Sequence, residues 1–315
     1  MKKQIRMGRA RHWLARAATA LALGATAAVC AAQATVPVKH ARGETAVPAN
    51  PSKTVVMDLA VLDTLNALGV EVAGLPSVAK LPPQLAQYAD KRYLKVGTMF
   101  EPNYEVIHAA APQLIFVAGR SAPKYDELAR LAPTVDLTVD AKDLVGSVTR
   151  NTHTLAAIYG KEDVARGKLD ALNASILALR ERAGGAGTAL IVLTTGGKMS
   201  AYGPGSRFGV IHDAFGIKPA TTGLSVSNHG QAISFEFIAQ TDPDWLFVID
   251  RDAAIGREGV SAQRMLDNEL VRQTKAWKQD NVVYLDAVNW YLVGGGLISL
   301  QAMVDQLSQA FAKSG

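Results

Sequence analysis

Two arginines occupy equivalent positions in a phrase that the chain contains twice. Residues 103–120 read NYEVIHAAAPQLIFVAGR and residues 234–251 read SFEFIAQTDPDWLFVIDR, with six of eighteen aligned positions identical. Each phrase ends in an arginine, Arg120 or Arg251, directly after an apolar run that predicts a buried strand. Because open α/β sheets bind ligands at the carboxyl ends of their strands, two guanidiniums placed there suit a bulky anion. The alternative is that each is an ordinary solvated arginine in a loop.

Three further candidate side chains lie in polar or glycine-rich loops. Arg207 belongs to the turn GPGSRFG, His229 to the polar stretch SVSNHGQ, and Tyr291 to NWYLVGGG, just before three glycines. We expect Arg207 to join the anion site. Phenolate oxygen and imidazole nitrogen both suit ferric iron, so His229 and Tyr291 are candidate iron ligands, although these two alone do not complete a metal site. The alternatives are a solvent-exposed histidine and an aromatic side chain packed in its loop.

Motifs for other chemistries are absent from the sequence. The glycines of GPGSRFG lack the GxGxxG spacing of a dinucleotide site. The six histidines show no HxH or HExxH spacing, no GxSxG elbow occurs, and Cys30 is the only cysteine. A hydrolase whose nucleophile and base are brought together only by the fold stays an open alternative from another class.

The N-terminus predicts export. Residues 1–34 begin with six cations, continue with an apolar run of small residues and end in Ala-Gln-Ala, which is typical of a secretory signal peptide cleaved after Ala34. A retained membrane span and a lipid anchor at Cys30 are the alternatives, but Ala-Ala-Val before that cysteine is a poor lipoprotein box. Removal of the six cations lowers the formal charge from +5 to −1, which argues against a nucleic-acid partner. We therefore expect a soluble periplasmic protein.

Alternating strand and helix patterns predict two α/β lobes with mainly parallel sheets. We expect a mobile segment at 35–52, an N-terminal lobe at 53–160 and a C-terminal lobe at 186–315. Between the lobes, residues 161–185 carry one apolar stripe and end in two glycines, which predicts a single linking helix of roughly 23 residues, about 34 Å long. The stripe consists of Leu169, Leu172, Ile176 and Leu179. The alternative is a helix that only covers one sheet.

These features together resemble the substrate-binding proteins of ABC importers for iron-siderophores, haem and vitamin B12. The resemblance covers essentially the whole chain after the signal peptide. Four motifs are most similar to members that bind ferric catecholate siderophores. They are GPGSRFG (203–209), SNHGQAISFEFI (227–238), FVIDR (247–251) and NWYL (289–292).

The resemblance implies a binding protein, not an enzyme, that acts as a monomer and has no cofactor of its own. Fe(III) would arrive within a ferric siderophore, held by Arg120, Arg207 and Arg251, and an inner-membrane ABC permease dimer would receive it. Each lobe of this family offers one carboxylate to one permease subunit, and the matching positions here are Glu105 and Glu236. Haem, with the same histidine and tyrosine as axial ligands, is the alternative cargo.

Overall fold

The structure, a computed structural model, describes residues 34–313 of the 315-residue chain. The predicted signal peptide, including Cys30, lies outside the described residues except for Ala34. Within residues 34–313 no helix has both the length and the apolar character needed to cross a membrane.

Residues 35–48 of the segment 35–52, which the sequence predicted to be a mobile lead-in, form a β-hairpin. Strands β1 (Thr35–His40) and β2 (Gly43–Pro48) pair antiparallel along their whole length. Val38 and Val47 are buried in the core beside the first sheet, and the Ala41 amide donates to the carbonyl of Asp136 at 3.3 Å. The prolines suggested an irregular lead-in, but the valines give the hairpin an apolar face. Burial of this face offsets the conformational entropy that the N-terminal segment loses when it is ordered.

The first sheet contains five parallel strands in the order β5-β4-β3-β6-β7. Its central strands are apolar on both faces, as a parallel sheet covered by helices requires. The elements are β3 (Thr54–Val56), α1 (Leu59–Ala67), β4 (Gly74–Leu75), β5 (Leu94–Lys95), α2 (Tyr104–Ala110), β6 (Leu114–Val117), α3 (Tyr125–Ala129), β7 (Thr134–Asp136) and α4 (Leu144–Tyr159).

The second sheet is mixed. It contains β8 (Thr188–Thr195), β9 (Lys198–Tyr202), β10 (Lys218–Pro219), β11 (Gln231–Ile233), β12 (Trp245–Asp250) and β13 (Val282–Tyr284). β8 pairs parallel with β12 and β10, and β12 with β13, whereas β9 and β11 add an antiparallel edge. Gly196 and Gly197 join β8 to β9 with φ of 54° and 75°, the left-handed values of a two-residue hairpin turn. The predicted α/β class with mainly parallel pairing is confirmed.

Helices flank the second sheet and complete the chain. They are α6 (Val210–Asp213), α7 (Phe235–Thr241), α8 (Arg251–Ala254), α9 (Ala262–Leu266), α10 (Glu269–Arg272), α11 (Lys275–Lys278), α12 (Ala287–Tyr291) and α13 (Leu297–Lys313).

The helix predicted at 161–185 is α5 (Glu162–Ala183), which runs for 22 residues between the two sheets along the chain. All four residues of its predicted stripe are buried, and they pack in one cluster with Ile191 and Phe247 of the second sheet. The helix therefore covers the second sheet as well as connecting the two. The boundaries of the predicted lobes stay a prediction.

The apolar cluster beside each sheet also contains residues from the other half of the chain. Ala254 and Val293, from the second half of the chain, are buried in the cluster beside the first sheet. Ala67 and Val148, from the first half, are buried in the cluster beside the second sheet. The two sheets are therefore joined covalently through α5 and also by shared packing. This packing opposes large movements of one sheet relative to the other.

A buried carboxylate forms a polar tether between the same parts of the chain. Asp63 of α1 accepts hydrogen bonds from the amides of Ile298 (2.7 Å) and Ser299 (3.0 Å) in the first turn of α13. Gln84 donates to Asp63 at 3.2 Å and to the side chain of Asn289 at 2.7 Å. First-turn amides have no partner within their own helix, so Asp63 supplies one from a distant helix.

Protonation of Asp63 should make the stability of this protein depend on pH. Burial raises the pKa of Asp63 to about 6 from an ordinary 3.8, against the opposing hydrogen bonds of Ser299, Gln84 and Ile298. The folded state then binds the proton more tightly than the unfolded chain does. This group should therefore add stability as the pH falls from above 6 to about 4, by at most about 3 kcal/mol.

Denaturant titrations of wild type and Asp63→Asn between pH 7.5 and pH 4 measure this contribution. The wild type should gain unfolding free energy relative to the variant as the pH falls. The same substitution at Asp170, exposed on α5, is the matched control. Curves for wild type and Asp63→Asn that run parallel over this range would contradict the assignment.

Candidate ligand-binding site

A cleft of about 890 Å³ lies among loops that follow strands of both sheets. All five residues predicted to bind ligand or iron line it, namely Arg120, Arg207, His229, Arg251 and Tyr291. The fold therefore gathers into one site residues that are up to 171 positions apart in the chain.

The repeat places two of these arginines at matching ends of β6 and β12. Arg120 follows β6 after a glycine in left-handed conformation (Gly119, φ 42°), which turns the chain toward the cleft. Arg251 follows β12 directly and begins α8, whose first turn is capped by Asp250 through the Ala253 amide at 3.0 Å. Strand ends thus present both guanidiniums, as the sequence predicted.

Arg207 is presented by a tightly bonded turn between β9 and α6. The Gly205 amide donates to Asp213 at 2.7 Å, and the Ser206 hydroxyl donates to the Gly203 carbonyl at 2.5 Å. A Cβ at Gly209 would come within 2.8 Å of the Gly205 nitrogen, so only glycine fits there. This geometry leaves Arg207 few alternative positions.

Tyr291 is the point at which the three arginines converge. Arg120 and Arg207 donate to its carbonyl oxygen at 2.8 and 2.5 Å, and Nε of Arg251 donates to its hydroxyl at 2.8 Å. Their guanidinium carbons lie 5.3, 4.1 and 5.6 Å from the ring centroid, within the range of cation–π attraction. The tyrosine therefore orients all three cations at the wall of the cleft.

The cleft carries an excess of positive charge. Among the described residues no carboxylate forms an ion pair with Arg120 or Arg207, and Arg251 approaches Asp252 only at 3.9 Å. Burial, and then the charge of Arg120, lower the pKa of Arg207. The acid at the cleft, Asp58, caps α1, and burial raises its pKa although Arg120 opposes this. An anionic ligand would supply the missing negative charge.

The same arginines favour the phenolate form of Tyr291. Burial acts to raise the pKa of Tyr291, but hydrogen bonds from Arg251 and Arg207, together with their charges, outweigh it and lower the pKa below 10. Phenolate oxygen is a ligand for ferric iron. The hydroxyl of Tyr291 in the cleft therefore loses its proton more readily than that of an ordinary tyrosine.

His229 sits at the tip of a turn on the cleft rim. The Ser227 hydroxyl donates to the Gly230 carbonyl at 2.9 Å, and the Gly230 amide donates to the Ser227 carbonyl at 3.1 Å. Gly230 has φ of 69°, and a Cβ there would meet the Ala201 carbonyl at 2.7 Å. The histidine is exposed. Within residues 34–313 no group of three or more histidine, cysteine or acidic side chains can hold a metal ion by itself.

The two glutamates of the repeat lie outside the cleft and are exposed. Glu105 is in the first turn of α2 and Glu236 in the first turn of α7, and each helix is capped by the preceding Asn103 or Ser234 side chain. Both helices end at a residue in left-handed conformation, with φ of 46° and 43°. The repeated phrase is therefore one capped helix followed by one buried strand, built twice.

Apolar residues of the cleft were not found from the sequence. Phe100, Leu137, Val139 and Val226 line it, and all four lie outside the helices and strands. Loop residues follow no apolar periodicity, so no sequence signal separated them from other loop positions.

The fold and the cleft define a two-sheet α/β binding protein, and sequence comparison identifies its family. The profile described as "Periplasmic binding protein" matches residues 55–288, so the chain belongs to that family. The prediction of a binding protein rather than an enzyme is confirmed by this family and by the relatives below.

Two curated relatives are proteins named for iron chelates. The petrobactin-binding protein YclQ of Bacillus subtilis (strain 168) is 39% identical over 283 residues, which cover 88% of this chain and 89% of that protein. Its crystal structure superposes with a TM-score of 0.85 at 38% identity, covering 88% of this chain and 99% of that one. The ferric-anguibactin-binding protein FatB of Vibrio anguillarum (strain ATCC 68554 / 775) is 32% identical over 280 residues, 87% of each chain.

A third similar protein is named for a catecholate. The periplasmic catecholate-siderophore binding protein VctP of Vibrio cholerae has a TM-score of 0.84 at 28% identity, covering 88% of this chain and all of that one.

Tyr291 should ionise at lower pH than an ordinary tyrosine. Burial raises the pKa values of Tyr88 and Tyr159 to about 12, whereas the arginines lower that of Tyr291. Ultraviolet titration of the apo protein should show an early phenolate step, at lower pH than that of an ordinary tyrosine. Tyr291→Phe should remove this step and Arg251→Met should move it to higher pH. An early step that persists in Tyr291→Phe would refute the lowered pKa.

Proposed function

We propose that this protein captures an anionic ferric siderophore of the catecholate type and delivers it to an inner-membrane ABC permease. The observation that carries the proposal is the convergence of three guanidiniums on Tyr291, two of them without an ion-pair partner among the described residues. Ferric catecholates are bulky anions whose oxygens accept hydrogen bonds from guanidinium groups. Relatives named for petrobactin, anguibactin and a catecholate siderophore support the same class of cargo.

Iron enters this scheme as cargo and not as a resident cofactor. A siderophore with two catecholates fills four of the six octahedral positions of Fe(III). We propose that His229 and Tyr291 occupy the other two, because both line the cleft and the arginines favour the phenolate. The arginines then neutralise the net negative charge of the complex.

Comparison of two ligand classes tests this assignment. His229→Ala and Tyr291→Phe should each weaken binding of a tetradentate ferric bis-catecholate by at least about tenfold, close to 1.4 kcal/mol. A hexadentate ferric tris-catecholate, already saturated, should bind both variants almost as it binds wild type. Fluorescence quenching gives the affinities, and circular dichroism of the charge-transfer band reports protein donors at the metal.

His153→Ala and Tyr104→Phe, at positions that do not line the cleft, are the matched controls. Equal losses for the tetradentate and hexadentate complexes would show that His229 and Tyr291 only line the pocket.

A Soret band after loading with haem, together with no response to either ferric catecholate, would instead favour the haem alternative. The comparisons support neither haem nor a hydrolase.

The repeated glutamates are proposed to dock the permease dimer, one on each subunit. Their identical setting in α2 and α7 supports this, because a protein that meets two equivalent partners needs two equivalent contacts. Both carboxylates are exposed and lie outside the cleft, so they can reach a partner while the ligand is held.

Replacement of Glu105 and Glu236 by alanine should leave siderophore affinity unchanged and lower uptake through the cognate permease by at least about tenfold, because charge pairs set orientation across such an interface. The matched control is the double alanine variant of Glu162 and Glu269, which are also exposed first-turn glutamates. A fall in siderophore affinity, or unchanged uptake, would contradict the docking role.

We further propose export to the periplasm with cleavage after Ala34, and a monomeric product without Cys30. Strand β1 begins at Thr35, so cleavage after Ala34 would leave the hairpin whole.

A further inference from the structure

Two apolar side chains at the cleft are strongly exposed. Among the described residues, six large hydrophobic side chains are exposed, and of these only Phe100 (57%) and Val226 (60%) line the cleft. One belongs to the loop before α2 and the other to the loop before β11. Exposure of apolar surface is unfavourable in water, so its placement at a ligand cleft, ahead of each copy of the repeat, indicates a use.

The Phe100 side chain is held in water by a rigid turn. The Thr98 amide donates to the Glu101 carbonyl at 2.9 Å, and the Thr98 hydroxyl oxygen accepts from the amides of Phe100 and Glu101 at 3.2 and 3.0 Å. Gly97 has φ of 100°, and a Cβ there would come within 2.3 Å of the Glu101 carbonyl. A flexible loop could fold an aromatic ring away from water, whereas this turn keeps the ring presented.

Val226 belongs to the same loop as His229. The Ser225 amide donates to the Gln231 side chain at 3.1 Å, and the turn from Ser227 to Gly230 follows directly. Any movement that brings the histidine toward a ligand therefore brings Val226 with it.

The cleft presents both charged and apolar side chains to a ligand. The arginines and Tyr291 form one cluster of charge, and it suits the oxygens around the iron. Phe100 and Val226 do not belong to that cluster and carry no group that binds metal or oxyanion. They therefore suit the apolar parts of a ligand, among which the chain that joins its catecholates is the most variable.

We propose that Phe100 and Val226 form an apolar clamp that binds the hydrocarbon skeleton joining the catecholates of the siderophore. The clamp rests on the proposed function and adds a selectivity to it: the arginines select charge, and the clamp selects ferric complexes with an apolar linker over those with a hydrophilic one. Burial of apolar surface supplies the free energy, so the preference does not depend on ligand charge.

Two ferric bis-catecholates with identical catecholates and linkers of equal length, one alkyl and one oligoether, test the clamp. Wild type should bind the alkyl-linked complex about tenfold more tightly. Phe100→Ala and Val226→Ser should each lose most of this preference and bind the oligoether complex as wild type does. Phe100→Leu should retain it. Leu177→Ala, which removes an apolar side chain 61% exposed on α5 and outside the cleft, is the control.

Wild-type affinities that are equal for the two linkers, or variants that keep the preference, would overturn the clamp. Unchanged affinities with impaired uptake in cells would show that Phe100 and Val226 contact the permease instead, which also overturns it. Failure of wild type to bind either complex would refute the proposed function, and the clamp with it.

Discussion

The contact of Tyr291 with three arginines determines the form of the cleft, because its partners come from loops far apart in the chain. Arg120 follows a strand of the first sheet, whereas Arg207 and Arg251 belong to the second. The ring of Tyr291 also packs against the apolar clusters of both sheets. One residue thus joins the two halves by packing and by hydrogen bonds, and the charge of the site is gathered around it.

Three like charges so close together oppose folding unless other interactions hold them. Here the apolar packing shared by the two halves and the tether at Asp63 hold the halves together and so offset this repulsion. The cleft of the apo protein therefore keeps an excess of positive charge. An anionic ligand meets donors already in position, so less of its binding free energy is spent on ordering them.

The repeated phrase connects two different surfaces of the molecule. Its glutamate lies in an exposed first turn, and its arginine lies fifteen residues later at the carboxyl end of the buried strand. A capped helix and a strand separate the two, so one short unit provides both a proposed contact for a partner and a proposed contact for the ligand. Duplication of that unit gives the cleft two of its cations and the outer surface two matching carboxylates.

Much of the fold and the site could be predicted from local patterns. Apolar periodicity predicted α5 and its stripe, and the repeat predicted two strands that end in arginines. Spacing and composition also pointed to Arg207, His229 and Tyr291, which all line the cleft. The hairpin at 35–48 was not predicted because its prolines outweighed a short alternation of valines. The antiparallel edge was not predicted either, although Gly196 and Gly197 favour a hairpin.

The sequence by itself determined the class of elements, the duplication and the types of donor available, since each depends on residues close together in the chain. Only the tertiary structure decided that three guanidiniums share one tyrosine, that Asp63 caps a helix more than 230 residues away, and that Phe100 and Val226 line the cleft. Such contacts arise from packing between distant segments, and loop side chains carry no periodic pattern that would reveal them beforehand.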